Sequence, residues 1–590
     1  MKKYLLIMAG LFLTAATFGA DWPEWRGPQR NGIVAESPAL VDTFGENGPK
    51  KLWTSEKIMA DAKGGWGSVA IAEGRGYVYS NWRYDVPIET RTLKRPALEG
   101  IGWSKEMPED LREKVETARE SPARTALEDK ALRSWVKDWI KANVPESLKK
   151  FQDASYRRLV DGPKAVPWPV MEKLATIVDK DFANAAAMES WIEANGIDAK
   201  WKKQIVSLFP TKVTNAFDKI FCLDTATGKT LWQVELPGSA PADWPCSTTP
   251  CISKGRCYVK GSGRKVYCFD AATGNKIWEN VSKAKPEATA GSSFVVVEGK
   301  AILHEIETVA YDCETGKILW TQEKINGDHS SPVYWHKDGK TYLVVNCAGS
   351  TICFDPADGR ILWSVEGSGP STPAIDGDKM AIFSNNPPVG LVGYRLNGEK
   401  PEQLWKVPIS DRGSSPLIYK GYAYAFGGLE KARGVCVEFE TGKVAWDQKL
   451  PQTEFSSPIV ADGKILVVIG TREKSPFYMI KATPEAYTLM SEAKVGVRCT
   501  TPALADGKLF LRMLDSVECY DIVNDAWIPV DWTLPQPITG FSAKYTDGFV
   551  IIAGGWNGSP VETAHAMDMA TKTWRDLPAL PDPIDKCAHC

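Results

Sequence analysis

The chain has 590 residues, with 71 basic against 73 acidic side chains and a formal net charge of -2. That balance excludes both a basic field for nucleic acid and an acidic tail, so partners recruited by bulk charge are not expected. The length exceeds that of one ordinary domain, which a repeat array reaches without splitting.

The N-terminus "MKKYLLIMAGLFLTAATFGA" joins Lys2 and Lys3 to a short apolar run and small residues. This is the layout of a secretory signal peptide, residues 1–20, cut between about Ala16 and Ala20. No cysteine follows the run, which speaks against a lipid anchor, and no later stretch reaches the roughly 18 apolar residues of a membrane span. The expected mature protein is exported, soluble and periplasmic or extracellular. "DWPEWRGPQRNG" from Asp21 and an orphan strand, "KKLWTSE" at 50–56, come next.

From about Ser68 the chain alternates with period two between turn residues, the mark of strands. Residues 83–216 then read as a helical insertion. Leu132, Trp135, Val136, Trp139 and Ile140 follow helical spacing, and "WIEANG" ends on Gly196 as a cap. This apolar face calls for a partner surface, so a helical subdomain packed on one end of the molecule is expected.

Beyond Phe217 two motifs alternate. The first is "FCLDTATGKTLWQ" from Phe221, with copies from Tyr267, Ala310, Ile352 and Val435, each placing a tryptophan eight residues after an acid (Asp224 and Trp232, Asp312 and Trp320). Asp accepts backbone hydrogen bonds in the turn, Gly supplies positive φ, and a large flat side chain at a fixed place fills the wedge between units. Five identical active sites are implausible; the motif reads as a joint. The second motif is a Ser/Thr pair before proline, at Pro332, Pro373, Pro416, Pro458 and Pro502, spaced by 41, 43, 42 and 44 residues. That period suits four-stranded blades of an all-β propeller. Units start near Ser68, Ser247, Ser292, Ser330, Ser371, Ser414, Ser456 and Thr500, eight in all, and the orphan N-terminal strand is expected to complete the last and close the ring. Unit five, "YRLNGEKPEQLW", is stretched, and unit seven lacks the tryptophan. The C-terminal segment 524–590, with Gly554, Gly555 and Trp574, reads as one kelch-like blade or extension.

Thirteen cysteines are present. Cys222, Cys268, Cys353, Cys436 and Cys519 hold one repeat position and read as small core residues. Cys246, Cys251 and Cys257 are near enough in sequence for one local disulfide. The tail "CAHC" at 587–590 lacks the histidine of a haem attachment site and reads as a thiol pair or disulfide without a catalytic role.

These repeats, "CFDAATGNKIW" alternating with "SSP", resemble the quinoprotein-type (PQQ-like) β-propeller repeat, and "DWPEWRGPQRNG" resembles the start of exported bacterial proteins built from it. The resemblance spans most of residues 21–523. It implies an eight-bladed all-β propeller in which the loops entering the innermost strands share one face with the loops between second and third strands, where the insertion belongs. On that face lie Trp66, Trp244, Asp328, His329, Asp411, Arg412, Glu454 and Arg498, with His304, Glu305, Asn346, Arg472 and Glu473 beside them.

Three functions follow from the resemblance and the loop chemistry. The first is a non-catalytic, monomeric exported propeller that binds a protein or polysaccharide partner through the decorated face and the insertion. The second is a dehydrogenase of alcohols or sugars that uses pyrroloquinoline quinone (PQQ) with calcium. In it Arg412 and Arg498 meet the cofactor's carboxylates, Trp66 or Trp244 its ring, and Asp328, Asp411 or Glu454 supply base and metal ligands. Asp328, His329 and Asp411 are the catalytic candidates. The adjacent cysteine pair of many alcohol-oxidising relatives has no counterpart. The third is a polysaccharide hydrolase or lyase, for which no carboxylate pair stands out.

Overall fold

The computed structural model describes residues 21–580 apart from 47, 61–65, 240–245, 282–290, 328, 386–387, 398, 410–412, 429–430, 472–474, 497–499, 524–534, 537–541, 547–548, 555–558, 569–570 and 572. Residues 1–20, read from the sequence as a signal peptide, and the CAHC tail therefore lie outside the described residues. The chain divides into two units, residues 1–523 and 524–590.

Eight four-stranded antiparallel sheets build the first unit. Sheet 1 holds Ala70–Ala72, Arg75–Pro87, Lys212–Asp224 and Thr230–Pro237; sheets 2 to 7 are runs of four consecutive strands between Cys251 and Gly496. Sheet 8 takes three strands from the end of the unit, Ala503–Ala505, Lys508–Arg512 and Val517–Asp521. Its fourth, Lys50–Thr54, comes from the start and pairs Lys50 with Asp521 and Thr54 with Glu518. Each pair of successive sheets buries a shared apolar cluster, and one cluster runs through Leu466, Phe510 and Val78, of sheets 7, 8 and 1. The row of sheets thus closes on itself as a β-propeller, which leaves no exposed terminal face.

The tryptophan motif joins neighbouring sheets through two contacts. The indole N–H donates to a turn carbonyl of the next sheet: Trp232 to Ala271 at 3.1 Å, Trp278 to Cys313 at 2.9 Å, Trp320 to Pro356 at 3.1 Å. The ring also covers the turn glycine of that sheet, so a Cβ on Gly274 or Gly316 would meet it at 2.7 or 2.5 Å. Trp53 of the orphan strand does the same to Thr225 and Gly228 of sheet 1. The stretched turn of unit five still delivers Trp405 to the Phe439 carbonyl.

The Ser/Thr-Pro motif forms a second belt, at the inner edge. The backbone N–H of Ser68 donates to the Thr249 hydroxyl, that of Thr249 to Ser293, and the relay continues through Ser331, Thr372, Ser415 and Ser457 to Thr501, each step between 2.9 and 3.1 Å. Every step crosses from one sheet to the next. A hydroxyl is needed at this position because the N–H it accepts from is buried and has no strand partner on the channel side.

The insertion differs from its expected limits. Strands Arg75–Pro87 and Lys212–Asp224 stay paired as far as Pro87 and Lys212, so residues 83–87 and 212–216 are a two-stranded ribbon rather than helix. Eight α-helices follow between Arg95 and Val206. The face read from Leu132 to Ile140 lies on helix Asp129–Asn143, where Val136 is buried and Leu132, Trp135, Trp139 and Ile140 are half-buried. It packs on the insertion's own core, which includes Leu98, Leu111, Met171 and Ile205. The partner surface expected for it is supplied by neighbouring helices of the same subdomain. Gly196 caps helix Ala185–Ala194 with φ +61°.

The local disulfide does not form: Cys246, Cys251 and Cys257 are buried thiols, as are the other seven described cysteines. Burial pushes thiols such as Cys222 and Cys268 up to about 12, so they are neutral and enclosed. Ellman's reagent is expected to leave these ten thiols unreacted in the native protein and to release them only on unfolding; rapid native labelling of more than three sites would contradict this packing.

The second unit contains one four-stranded antiparallel sheet, Ser542–Thr546, Phe549–Ala553, Ala564–Asp568 and Thr573–Leu577. In it His565 Nδ1 lies 2.8 Å from Asp576, and Arg575 covers the Phe549 ring. Gly555 lies outside the described residues.

Candidate functional site

Of the residues singled out in the sequence, Trp66, His329, Glu454, His304, Glu305 and Asn346 are described; Trp244, Asp328, Asp411, Arg412, Arg472, Glu473 and Arg498 lie outside the described residues. His329 precedes sheet 4 and Phe455 precedes sheet 7, yet their rings meet with centroids 5.6 Å apart. Gly413, ahead of sheet 6, packs against the same Phe455 ring, leaving 2.1 Å for a Cβ. His329 and Phe455 therefore join across the mouth of the channel, and Phe455 takes φ +53° to do so. Such a conformation costs roughly 1 kcal/mol or more for a bulky residue and persists only where its surroundings hold it.

The channel beneath is occupied by the segment from Asp21 to Val34. Trp22 pairs its backbone with Ile71 of sheet 1, the Pro23 carbonyl accepts from Ile252 of sheet 2, and Val34 donates to Val460 of sheet 7. Arg30 is buried against Glu24 at 2.5 Å and against the Phe294 carbonyl at 2.7 Å; Glu24 also accepts from the Tyr334 hydroxyl at 3.1 Å. Arg26 reaches the Pro416 carbonyl at 2.6 Å, one residue beyond the hydroxyl belt. The "DWPEWRGPQRNG" stretch is thus an axial plug that ties sheets 1, 2, 3, 4, 6 and 7 together. The sequence did not disclose this role.

Register comparison between sheets exposes a polar half-ring, of which sequence reading named His304 and Asn346 and missed the rest. Take in each sheet the residue two places beyond the partner of the first inner-strand residue. From sheet 8 round to sheet 4 it is Arg512, Tyr79, Lys260, His304 and Asn346; in sheets 5, 6 and 7 it is Phe383, Phe426 and Val468. All eight are buried.

The polar members are held by fixed partners. Lys260 Nζ sits 2.9 Å from Glu305 and 3.3 Å from Cys246 Sγ, with only 1% of the lysine side chain and 4% of the glutamate exposed. Asp218 accepts from the Tyr79 hydroxyl at 2.7 Å, the Tyr267 hydroxyl at 3.2 Å and the Ser262 N–H at 3.0 Å. Thr308 donates its hydroxyl to the Ile325 carbonyl at 2.7 Å and accepts from His304 at 2.9 Å, which assigns the histidine proton to Nδ1. Burial raises the Cys246 thiol despite Lys260, and burial with the Asp218 charge lifts the Tyr79 phenol well above its ordinary value. These groups stay in their resting protonation states, so the half-ring braces the loops and presents neither a thiolate nor a phenolate.

A cavity of about 740 Å³ opens beside it across sheets 3 to 5, lined by Ile306, Asn326, Asn346, Cys347, Ser368 and Asn385 with intervening small residues. Its described lining carries no charged side chain. Asn346 is spent on structure: it donates to the Ser371 carbonyl at 2.7 Å and accepts from Thr351 at 2.7 Å. Burial raises Cys347 to about 12. The cavity is suited to backbone and amide contacts with a neutral polar group.

The described residues offer no site for PQQ with calcium. That tricyclic quinone needs an open slot with cations free for its carboxylates and hard oxygen ligands for the metal. Arg26 and Arg30, the arginines of the plug, are fully buried, and among the described residues no three acidic, histidine or cysteine side chains converge as a metal site requires. No step is derived through this group.

A family model described as outer membrane protein assembly factor BamB matches residues 211–323, 305–432 and 390–477. No curated protein matches the chain. Among solved structures, BamB from Moraxella catarrhalis aligns at 15% identity with TM-score 0.42, covering 51% of this chain and 88% of its own. The quinohemoprotein alcohol dehydrogenase from Comamonas testosteroni aligns at 13% identity with TM-score 0.39, covering 55% and 75%. One from Pseudomonas putida HK5 aligns at 12% with TM-score 0.39, covering 56% and 76%. Residues 211–477 thus match the PQQ-like repeat of that family model, and the eight four-stranded sheets of the first unit form a β-propeller. Among the described residues no helix is long and apolar enough to cross a membrane.

Proposed function

We propose that this protein is an exported, non-catalytic propeller that binds a protein partner through the ribbon and helical module carried by sheet 1. One observation carries the reading: the ribbon is amphipathic and its apolar side is left open. Trp82, Tyr84 and Val86 alternate along one strand, and Phe217 and Val213 lie opposite Trp82 and Val86 on the other. Side chains at period two, and their cross-strand partners, share a face. Trp82, Tyr84 and Phe217 stack with centroids 4.7 to 6.2 Å apart, while Tyr84, Val86 and Val213 are 38%, 38% and 48% exposed. The opposite face carries the Asp85–Lys212 ion pair and the Asp85–Thr214 hydrogen bond. An apolar stripe of this kind, rimmed by charge, is the composition of a protein-binding surface.

The plugged channel and the cavity support the same reading, since among the described residues neither gathers a nucleophile, base or metal set. The test places a photo-crosslinking residue at position 84 in cells of the source organism. One discrete adduct is expected, and Val213→Asp should reduce it at least tenfold while leaving the melting temperature within about 2 °C, as a surface change does. Crosslinking that is absent, or unchanged by the aspartate, would sink the proposal.

A further inference from the structure

Four described arginines of the first unit, Arg26, Arg30, Arg158 and Arg512, have virtually no exposed surface, and they differ in what balances them: Arg158 is paired with Glu116. Arg30 is paired with the Glu24 carboxylate. Arg512 donates to the Ser516 carbonyl at 3.0 Å and feels the opposite charge of Asp515. Arg26 has no such opposite charge, only the Trp25 ring 5.6 Å from its guanidinium. Its Nη2 donates to the Asn31 carbonyl at 3.2 Å and the Pro416 carbonyl at 2.6 Å, but Nε and Nη1 are buried without a partner. The charged neighbour that acts on it is Arg30, of the same sign. Glu24 is spent on Arg30, so the plug brings two cations and one anion to the axis.

A buried cation without a counter-charge is far more costly than one that is paired, and orphaned donors in a native interior point to a bound water or ion. Water would satisfy the N–H groups and leave the charge. An anion would satisfy both, and charge-assisted hydrogen bonds to a guanidinium are among the strongest available. The backbone is shaped for the placement: Arg26 and Arg30 both take left-handed conformations, with φ +63° and +53°, and Gly32 beside the Arg26 guanidinium leaves 3.1 Å for a Cβ. Strain of this kind is kept where the surroundings over-determine it.

We propose that Arg26 binds a small inorganic anion within the axial channel, as the resident counter-ion of the N-terminal plug. The ion is of the halide or simple oxyanion class, because Arg26 is fully enclosed and a larger ligand would displace the plug. This inference is independent of the partner-binding reading.

The first test is a crystal of the mature full chain soaked in sodium bromide. An anomalous peak in contact with Arg26 Nε or Nη1 is expected; water or protein atoms alone at those nitrogens would overturn the proposal. The second compares the melting temperature of the wild type and Arg26→Met across sodium bromide concentrations at fixed ionic strength, held with sodium gluconate. The wild type should gain several degrees that the variant does not, since an ion bound to the native state alone stabilises it by mass action. Equal dependence in both proteins would also overturn it, and if Arg26→Met does not fold, the crystal decides.

Discussion

Arg30→Met should lower the stability of the first unit by about 3–5 kcal/mol, the range seen when one partner of a buried ion pair is removed. Arg30 is wholly enclosed, and it is the cation that faces Glu24 at 2.5 Å. Without it the carboxylate keeps only the Tyr334 hydroxyl and the weak Cys251 thiol contact. Burial already raises the Glu24 carboxyl, with Arg30 the main opposing influence, so in the variant it should take up a proton on folding. Stability would then fall further as pH rises, because a neutral buried carboxyl must compete with an ionised one in the unfolded chain. Denaturant melts of wild type and variant at pH 5 and pH 8 measure both effects. A loss below 1 kcal/mol would mean that the plug does not bear on the ring.

The second large effect concerns the joints. Gly316→Ala should cost about 3 kcal/mol, and Gly339→Ala about 1 kcal/mol. Both glycines have left-handed φ, +69° and +74°, so each substitution meets the same backbone penalty of roughly 1–2 kcal/mol. They differ in space: a Cβ at 316 would lie 2.5 Å from the Trp278 ring, whereas at 339 nothing stands within 4 Å. The excess is the cost of overpacking, about 1–3 kcal/mol. Denaturant melts of the two variants check it, and equal losses would show that the tryptophan contact contributes nothing beyond turn geometry.

These two sites also mark how far the sequence can be read. The tryptophan motif was legible because its spacing repeats, so five copies disclose a joint, and the Asp and Gly of its turn have local reasons that hold without a structure. The orphan "KKLW" strand was legible for the same reason, as a tryptophan without a unit beside a unit without a tryptophan. The second role of the glycine was not legible, since the ring that covers it comes from the preceding sheet.

The candidate site was read less well because its parts occur once each. Loop position pointed to His329, His304, Glu305 and Asn346, but nothing local indicates that His329 meets Phe455 from three sheets away. Lys260, Tyr79 and Arg512 look like ordinary strand ends until the sheets are aligned by register. The plug is harder still, because "DWPEWRGPQRNG" carries no period and its arginines reach carbonyls scattered from Phe294 to Pro416. Residues 83–87 and 212–216 were misassigned to helix because a two-stranded ribbon outside the ring lacks the flanking strands that make alternation conspicuous.

The central claim is that the propeller binds through its sheet 1 module while its axis is closed by structure. Titrating the mature protein with PQQ, with and without calcium, and following tryptophan fluorescence tests this most directly. The account predicts no saturable, calcium-dependent quenching up to millimolar cofactor, because the axial arginines are enclosed and His329 with Phe455 covers the mouth. Saturable quenching that needs calcium and disappears in Arg412→Ala and Arg498→Ala would contradict it and make the protein a quinone-binding dehydrogenase.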